Sequence, residues 1–340
     1  MEQKSVLIGM SGGVDSSVAA ALLKEQGYHV IGATMRLWTY SDSCNMKHEG
    51  CCAESAVEDA RRVCDKLGID FYVMNFKDMF KDKVVDYFVD EYIHGRTPNP
   101  CIACNKYLKF DALLKKALAM GIDYVATGHY ARIEKGEDGK YILRASEAVK
   151  KDQSYVLYNF TQEQLAHTLM PLGGYNKDWV RQKAEELGLG VAHKPDSQEI
   201  CFVEDDDYAK FITDYSGYKP KEGDILDVNG NVIGKHRGLI YYTIGQRKGI
   251  GAYGRPMFVM KIDAENNTIT LGEKGMEFSN ELTAYDVNFV SGEFPKENML
   301  ITAKVRYQAP PAAAMLCPQK DGTVKLMFPE PQRAVTPGQA

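Results

Sequence analysis

Ser11-Gly12-Gly13-Val14-Asp15-Ser16-Ser17 is the stretch that decides the fold, because it lies between a short apolar run (residues 6–10) and a segment with helical spacing (residues 16–26). Glycines let a backbone approach an anion closely, and serine hydroxyls and N–H groups at a helix N-terminus bind phosphate oxygens. Asp15 could hold Mg²⁺ against the same phosphates. The sequence therefore predicts a phosphate-binding loop between a buried strand and a helix.

The loop differs from two other phosphate-binding patterns. It does not match GxxxxGKS/T, since no lysine follows the glycines, and it does not match GxGxxG. In GxxxxGKS/T loops the lysine binds the β- and γ-phosphates. Without it, transfer of a γ-phosphoryl group is the less natural chemistry for this loop.

Strands and helices alternate along the first two hundred residues. Further strands are predicted at residues 30–35, 70–75 and 124–127, and helices at 54–67, 110–120 and 178–187. This order predicts an α/β doubly wound parallel sheet with ligands at the carboxyl ends of its strands. After about Asp207, glycine, threonine, valine, tyrosine and turn pairs become frequent, which indicates short β-strands. We predict a catalytic domain at 1–210, a small middle domain at 211–277 and a β-barrel domain at 278–340.

Composition and charge narrow the class of protein. Of the 340 residues, 44% are hydrophobic and 26% charged, as in an ordinary packed protein. The net charge of −5 argues against coating nucleic acid by bulk electrostatics, although residues 235–262 hold six Lys or Arg and no Asp or Glu. No apolar run could span a bilayer and the start lacks a signal-peptide pattern, so we expect a cytoplasmic protein without membrane contact.

Three of the eight cysteines form the most informative group. Cys101 and Cys104 are three residues apart in a proline-containing loop that we predict to lie just before a helix, whose N-terminus would lower a thiol pKa. Cys201 is distant in sequence. The three thiols are consistent with sulfur transfer between Cys104 and Cys201, with an iron–sulfur cluster, or with simple packing; zinc fits less well because a structural site requires a fourth ligand.

A second group has the spacing CxxxHxxCC and contains Cys44, His48, Cys51 and Cys52. This spacing fits no standard zinc finger, and the segment is predicted to be a loop, so we expect no metal there. Cys64 on a predicted helix and Cys317 on a predicted strand are expected to be packing residues.

The SGGVDSS loop resembles the PP-loop of ATP pyrophosphatases (adenine nucleotide alpha hydrolase-like), which cleave ATP between the α- and β-phosphates and adenylate a substrate oxygen. Further motifs match, in order, the pattern of the tRNA 2-thiouridylase family, and together they cover essentially the whole chain. They are GRTPNPxxxCNxxxKF (95–110), ATGHYAR (126–132), KDQSYVLY (151–158), DSQEICF (196–202), TIGQRKGIG (243–251) and AVTPGQ (334–339).

This resemblance implies a role for each matching position. ATP would be bound by Gly9, Met10, Ser11, Gly12, Gly13, Val14, Asp15, Ser16, Met35 and Gly128. Cys104 would be the nucleophile and Cys201 the persulfide carrier, and Asn99, Pro100 and Cys101 would contact the target base. Contacts with tRNA would come from His129, Lys151, Asp152, Gln153, Arg306, Tyr307 and Gln339.

The resemblance also implies the reaction. ATP, with Mg²⁺, would adenylate the C2 oxygen of the wobble uridine in tRNA, and sulfur from the persulfide would replace that oxygen, giving 2-thiouridine, AMP, pyrophosphate and a Cys104–Cys201 disulfide. The sulfur would come from an upstream persulfide donor protein, either a cysteine desulfurase or a sulfur relay. Rivals are another PP-loop ligase or amidotransferase, and a non-catalytic tRNA-binding or sulfur-carrier protein.

The chain departs from the family pattern at two places. Many members carry Asp where this chain has Cys101, which makes a 4Fe-4S cluster held by Cys101, Cys104 and Cys201 an alternative route to the same thiolation. The sequence also stops at residues 337–340, where the family continues with further strands, so we expect a truncated or disordered barrel end.

Overall fold

The computed structural model describes residues 3–38, 54–196, 200–203 and 206–340, with the side chain of Val149 left out. The second cysteine group, at positions 44, 48, 51 and 52, lies outside the described residues, so the expectation that it binds no metal stays a prediction. Within the described ranges, no helix is both long enough and apolar enough to cross a membrane.

The β-strands are β1 (Ser5–Gly9), β2 (His29–Arg36), β3 (Asp70–Asn75), β4 (Tyr124–Ala126), β5 (Ala131–Lys135), β6 (Tyr141–Ala145), β7 (Thr168–Leu169), β8 (Gly223–Leu226), β9 (Val232–His236), β10 (Met257–Asp263), β11 (Thr268–Glu273), β12 (Phe278–Ala284), β13 (Met299–Ala303), β14 (Ala312–Pro318) and β15 (Val324–Arg333).

The α-helices are α1 (Val14–Glu25), α2 (Glu54–Leu67), α3 (Lys77–Phe80), α4 (Tyr87–Ile93), α5 (Pro100–Ala103), α6 (Leu113–Ala119), α7 (Gln162–Ala166), α8 (Lys177–Glu186) and α9 (Tyr208–Ser216). Segments of π-helix cover Lys81–Asp86 and Cys104–Ala112, and short 3₁₀ helices cover Val149–Lys151, Ser154–Leu157 and Leu239–Tyr241.

A five-stranded parallel sheet contains the predicted phosphate loop. Its strand order is β3-β2-β1-β4-β7. Val6, Leu7 and Ile8 in β1 are fully buried, as expected for a parallel sheet covered on both faces. Because the chain runs outward from β1 to β3 and then returns to β4 on the other side, the strand order reverses between β1 and β4. The predicted doubly wound parallel sheet is therefore confirmed.

Small residues allow α1 to pack closely on this sheet. Ala19 and Ala20 are fully buried within a hydrophobic cluster that also contains Val6 and Ile8 of β1, and α1 contacts α2 and α8. Cys64 on α2 is fully buried beside Gly32, where a Cβ atom would lie 2.6 Å from the cysteine sulfur. Burial, helped by the charge of Asp65, raises the pKa of Cys64 to about 12. The expectation that Cys64 is a packing residue is confirmed.

The helix that carries the first two site cysteines begins earlier than predicted. Pro100 opens α5, which continues through the π-helical segment Cys104–Ala112 into α6, whereas the sequence predicted a start at residue 110. Proline is well suited to the first turn of a helix, because the N–H group that it lacks has no intrahelical partner there. The prediction that both cysteines lie just before a helix is wrong: Cys101 lies in the first turn and Cys104 follows it.

The chain forms two compact units. One comprises Met1–Val84, Cys101–Val203 and Asn288–Glu293; the other comprises Val85–Pro100, Glu204–Val287 and Phe294–Ala340. The second unit contains two four-stranded sheets, β10-β11-β8-β9 and β12-β15-β14-β13, the latter fully antiparallel. The change to short strands after about Asp207 is thus confirmed, while the predicted domain limits stay a prediction.

Candidate active site

The predicted phosphate loop follows β1 at the point where the strand order reverses. Gly12 has φ +69°, and a Cβ atom there would lie 2.2 Å from the carbonyl oxygen of Ala56, so no other residue fits. Gly13 is the N-cap of α1, with extended backbone and no side-chain capping bond. The first N–H groups of α1 therefore have no side-chain oxygen as a partner from the cap, which is the arrangement that suits a phosphate.

The serines of the loop have internal roles as well. Ser17 Oγ donates to the Gly13 carbonyl oxygen at 2.8 Å, and Ser16 Oγ accepts from the Ser11 backbone N–H at 3.2 Å. Both side chains are buried, whereas Ser11 is exposed. Met10 and Val14, predicted to bind ATP, have buried side chains in the hydrophobic core. Only their backbone atoms could therefore contact a nucleotide.

The other predicted ATP-binding positions lie at the same edge of the sheet. Gly128 follows β4, and a Cβ atom there would lie 2.7 Å from the backbone nitrogen of Ser16, at the start of α1. Gly9 ends β1 opposite Ala33 of β2, so Met35, two residues further along β2, extends beyond the end of β1. Met35 is half-buried rather than part of the core. The structure thus brings the predicted ATP-binding residues together around the carboxyl ends of β1, β2 and β4.

Two lysines that the sequence did not point to reach the loop. Lys177 Nζ lies 2.8 Å from both carboxylate oxygens of Asp15. Lys194 Nζ donates to the carbonyl oxygen of Gly12 at 3.2 Å and to Asp59 at 2.9 Å. The loop has no lysine of its own, but the fold supplies two from distant positions. Asn176, which caps α8 through the backbone N–H of Trp179, was a signal for the helix start but not for this ion pair.

Lys177 also connects the loop to the segment that precedes Cys201. Its Nζ lies 2.7 Å from Asp196, which further accepts from Lys151 at 2.8 Å and Arg181 at 3.1 Å. Burial opposes ionisation of Asp196, but the hydrogen bonds from Lys151 and Lys177 prevail and hold its pKa below the ordinary value. Asp196 is therefore a carboxylate shared by three cations.

Tyr130 is a further hydrogen-bond partner of Asp15. Its hydroxyl donates to Asp15 Oδ1 at 2.7 Å. Burial, followed by the nearby Asp15 charge and this hydrogen bond, raises the pKa of Tyr130. The tyrosine therefore stays protonated and acts as a hydrogen-bond donor at neutral pH.

The thiol segments both border the short helix α3. Cys104 is buried, Cys201 half-buried and Cys101 exposed. Phe202, next to Cys201, packs against Phe80 at the end of α3, and α3 also contacts the π-helical segment that begins at Cys104. Among the described residues, no three His, Cys, Asp or Glu side chains are grouped so that they could hold a metal ion. The three thiols thus do not form a ready ligand set for a cluster in this structure.

Hydrogen bonds and ring contacts within the first unit fix the predicted tRNA-contacting residues that lie in it. Gln153 Oε1 accepts from the backbone N–H of Tyr130 at 3.0 Å, and Asp152 accepts from the Ser146 N–H at 2.9 Å. The ring of His129 lies 5.9 Å from that of Phe110. Burial, together with the charge of Lys109, holds the pKa of His129 well below its ordinary value.

In the second unit, hydrogen bonds join two of the predicted RNA-contacting residues, Gln339 and Arg306, to other segments of the same unit. Gln339 Nε2 donates to the carbonyl oxygen of Thr97 at 2.6 Å, and the Thr97 N–H donates to the Pro337 carbonyl oxygen at 2.9 Å. Arg306 Nη2 donates to the carbonyl oxygen of Ile244 at 2.7 Å and to the hydroxyl of Thr336. Close to Thr97 in sequence, Asn99 is half-buried and Pro100 buried, and Tyr307 is 39% exposed.

The sheet and its loop define a nucleotide-binding α/β protein of the PP-loop class. Three family models match the chain: tRNA methyl transferase HUP domain at residues 4–205, tRNA methyl transferase PRC-barrel domain at 209–273 and Aminomethyltransferase beta-barrel domain at 279–340. A solved 4-thiouridine synthetase–RNA complex with bound ATP is a distant structural neighbour, with 16% identity, coverage of 62% of this chain and 50% of that chain, and a TM-score of 0.38.

Curated relatives are much more similar. The tRNA-specific 2-thiouridylase MnmA of Acetivibrio thermocellus is 58% identical over 100% of this chain and 96% of its own length. That of Clostridioides difficile is 57% identical, covering 99% of this chain and 94% of the relative. The chain therefore belongs to the tRNA-specific 2-thiouridylase family. The domain descriptions contain the words methyl transferase, but full-length relatives at this identity carry the thiouridylase name.

Proposed function

We propose that this chain is a tRNA-uridine 2-sulfurtransferase, which uses ATP to replace the C2 oxygen of the wobble uridine by sulfur. Family membership over the full chain supports the activity. The structural observation that carries it is that one compact unit holds the glycine-serine loop and both thiol segments. A rival ligase or amidotransferase would need the loop but not the thiols.

ATP suits the loop, because the cap of α1 and the glycines leave backbone N–H groups available to phosphate oxygens. Asp15 offers the carboxylate oxygens that Mg²⁺ prefers, and it is partly exposed. Both oxygens already accept from Lys177, so an ion held by Asp15 would replace that ammonium. Mg²⁺ bound there would neutralise charge on the phosphates.

Adenylation is the first step of the proposed reaction. Uridine O2 attacks the α-phosphorus of ATP, a bond forms between them, and the bond from that phosphorus to pyrophosphate breaks. Donors fixed in advance around the loop stabilise the charge that develops on the phosphates. The oxygen, otherwise a poor leaving group, now departs as AMP. The base must leave its stack to reach such a site.

Sulfur transfer is the second step. The terminal sulfur of a persulfide on Cys201 attacks C2, and the C2–O2 bond breaks to release AMP. The Cys104 thiolate then attacks Cys201 Sγ, so that the sulfur stays on C2 with the electron pair and a Cys104–Cys201 disulfide forms. Alternatively, Cys104 attacks the persulfide first and the released hydrosulfide attacks C2. In either order an external thiol reduces the disulfide. The common border of both thiol segments with α3 supports this pairing.

The experiment uses tRNA that lacks the modification, ATP and a persulfide donor protein, with 2-thiouridine measured by mass spectrometry after nuclease digestion. Cys104→Ser and Cys201→Ser should abolish thiolation and retain ATP binding. Cys317→Ser, which alters a half-buried cysteine on β14 outside the loop and the thiol segments, is the matched control and should stay active. Cys101→Ser is made in addition, because a cluster would require this thiol. Full activity of Cys201→Ser would refute the persulfide role.

The same variants test the iron–sulfur alternative, which gains no support from the arrangement of the three thiols. Protein purified without oxygen is assayed for iron and for a visible absorption spectrum. A cluster mechanism requires iron in the active preparation and loss of activity in Cys101→Ser. Activity of iron-free protein with a persulfide donor would support the thiol route.

A further inference from the structure

The ammonium of Lys177 lies between two carboxylates, Asp15 and Asp196, where a divalent cation could also bind. Its side chain is only 12% exposed, and its Nζ lies within 2.8 Å of both oxygens of Asp15 and 2.7 Å from Asp196. A lysine ammonium so enclosed by two carboxylates holds them together by charge-assisted hydrogen bonds. Because Asp15 is part of the phosphate loop, any ion that binds this carboxylate competes directly with Lys177.

The balance of charge around this lysine favours an anion. Asp15 and Asp196 contribute two negative charges, whereas Lys177, Lys151 and Arg181 contribute three positive charges. If a divalent ion neutralised Asp15, the positive excess would increase. The ammonium of Lys177 would then lose Asp15 as one of its two carboxylate partners and keep Asp196 as the other. Phosphate oxygens are the natural replacement.

The backbone at Lys177 is fixed, so only its side chain has to move. Lys177 is the first residue of α8, whose start is capped by Asn176. Val180 and Ala184 on α8 are fully buried, and α8 packs on α1, the helix that follows the phosphate loop. A flexible four-carbon stem on a rigid helix start can redirect its ammonium without moving the fold.

We propose that Lys177 is a phosphate-binding residue of the nucleotide site: it pairs with Asp15 and Asp196 when no nucleotide is bound, and it turns to the pyrophosphate part of ATP when Mg²⁺ occupies Asp15. This inference rests on the proposed function of the loop. It assigns to a lysine 162 positions from Asp15 the task that a lysine within the loop has in GxxxxGKS/T proteins. Lys177 thereby selects nucleotides that carry a pyrophosphate group over AMP.

The test measures the Kd of Mg·ATP, Mg·pyrophosphate and AMP by calorimetry, for the wild-type chain and for Lys177→Met. The variant should bind Mg·ATP and Mg·pyrophosphate at least about tenfold more weakly, as expected for one charge-assisted hydrogen bond, and AMP within about twofold of wild type. Lys183→Met is the matched control: Lys183 lies on the same helix and pairs with Glu25 at 2.9 Å, and its loss should change none of the three constants.

Two further variants separate recognition from structural support. Lys177→Arg keeps the charge and should restore most of the pyrophosphate affinity. Asp196→Asn removes one partner of Lys177 and should leave pyrophosphate affinity equal or higher. The inference would be overturned if Lys177→Met bound ATP and AMP with equally reduced affinity, or bound both with unchanged affinity. The proposed function would still stand in that case, provided that the wild type binds ATP. Absence of ATP binding in the wild type would overturn both.

Discussion

The ring of Phe202 meets the ring of Phe80 edge to face, with centroids 5.6 Å apart and planes inclined by 78°. Trp38 packs against both, with centroids 6.5 Å from Phe202 and 6.4 Å from Phe80. Aromatic pairs of this geometry stabilise by about 0.5–1.5 kcal/mol beyond the apolar area that they bury. The residue after Cys201 is therefore anchored to the end of α3, the same helix that contacts the segment beginning at Cys104.

Phe80→Leu should slow sulfur transfer without weakening ATP binding, because the anchor of the Cys201 segment loses its ring contact. We expect at least a tenfold lower rate of Cys104–Cys201 disulfide formation under a mild oxidant, measured by mass spectrometry after alkylation. Phe88→Leu is the control, since Phe88 is as fully buried but packs against Tyr92 instead. Equal slowing in both variants would point to a general loss of packing.

Gly128→Ala should lower the affinity for ATP at least about tenfold, because its Cβ atom would lie 2.7 Å from the backbone nitrogen of Ser16 and push the start of α1 out of place. Gly174→Ala is the control, since nothing lies within 4 Å of a Cβ atom there. Calorimetric titration with ATP distinguishes the two. Unaltered binding by Gly128→Ala would show that the loop tolerates the displacement.

His129 should make stability depend on pH in a defined window. Its folded-state pKa is lowered, so the unfolded chain takes up the proton first as the pH falls below about 6.5. Folding then loses at most about 1.4 kcal/mol per pH unit, until the folded-state pKa is reached, and nothing is lost above that window. Urea unfolding of wild type and His129→Gln between pH 5 and 7.5 should show the smaller slope in the variant. Parallel curves would contradict the assignment.

Substitution of Arg306 should lower the free energy of unfolding, whereas substitution of Tyr307 should affect tRNA binding alone. Arg306→Ala removes the hydrogen bonds to Ile244 and Thr336 and should lower the free energy of unfolding by about 1–3 kcal/mol. Tyr307→Ala alters a side chain that is 39% exposed and should leave stability within about 0.5 kcal/mol. If Tyr307 contacts tRNA, its loss should weaken binding about tenfold in a filter-binding assay. Wild-type affinity of Tyr307→Ala would remove it from the tRNA surface.

Local patterns made the strand, loop and helix around Asp15 predictable, since apolar runs, glycines and helical spacing act over a few residues. The observed limits of α2 and β3 agree with those predicted. The end of α2 was predictable because Gly68, with φ +62°, follows its last residue. The prolines around Asn99 indicate a loop, yet Pro100 opens a helix, so the sequence does not predict that Cys104 lies within one. The β5–β6 hairpin was missed despite the Asp138-Gly139 turn pair.

The gathering of Gly9–Ser16, Met35 and Gly128 at one sheet edge follows from parallel topology and could be predicted. The pairing of Lys177 with Asp15 could not, because no local rule relates residues 162 positions apart. Such pairs depend on how α8 packs on α1, which is decided by buried side chains rather than by the charges themselves.

The widened helix that begins at Cys104 sets the angular position of every side chain that follows it. A π-helical segment holds more residues than an α-helix of the same length, and it arises naturally from a residue inserted into an α-helix. Excising one residue within that segment would let the backbone relax to α-helical pitch, whereas excising one residue from α6, which already has that pitch, would rotate the segment containing Cys104 by about 100° relative to the end of the helix. The sulfur chemistry of this chain is thus tied to the length of one helical segment as well as to the identity of its thiols.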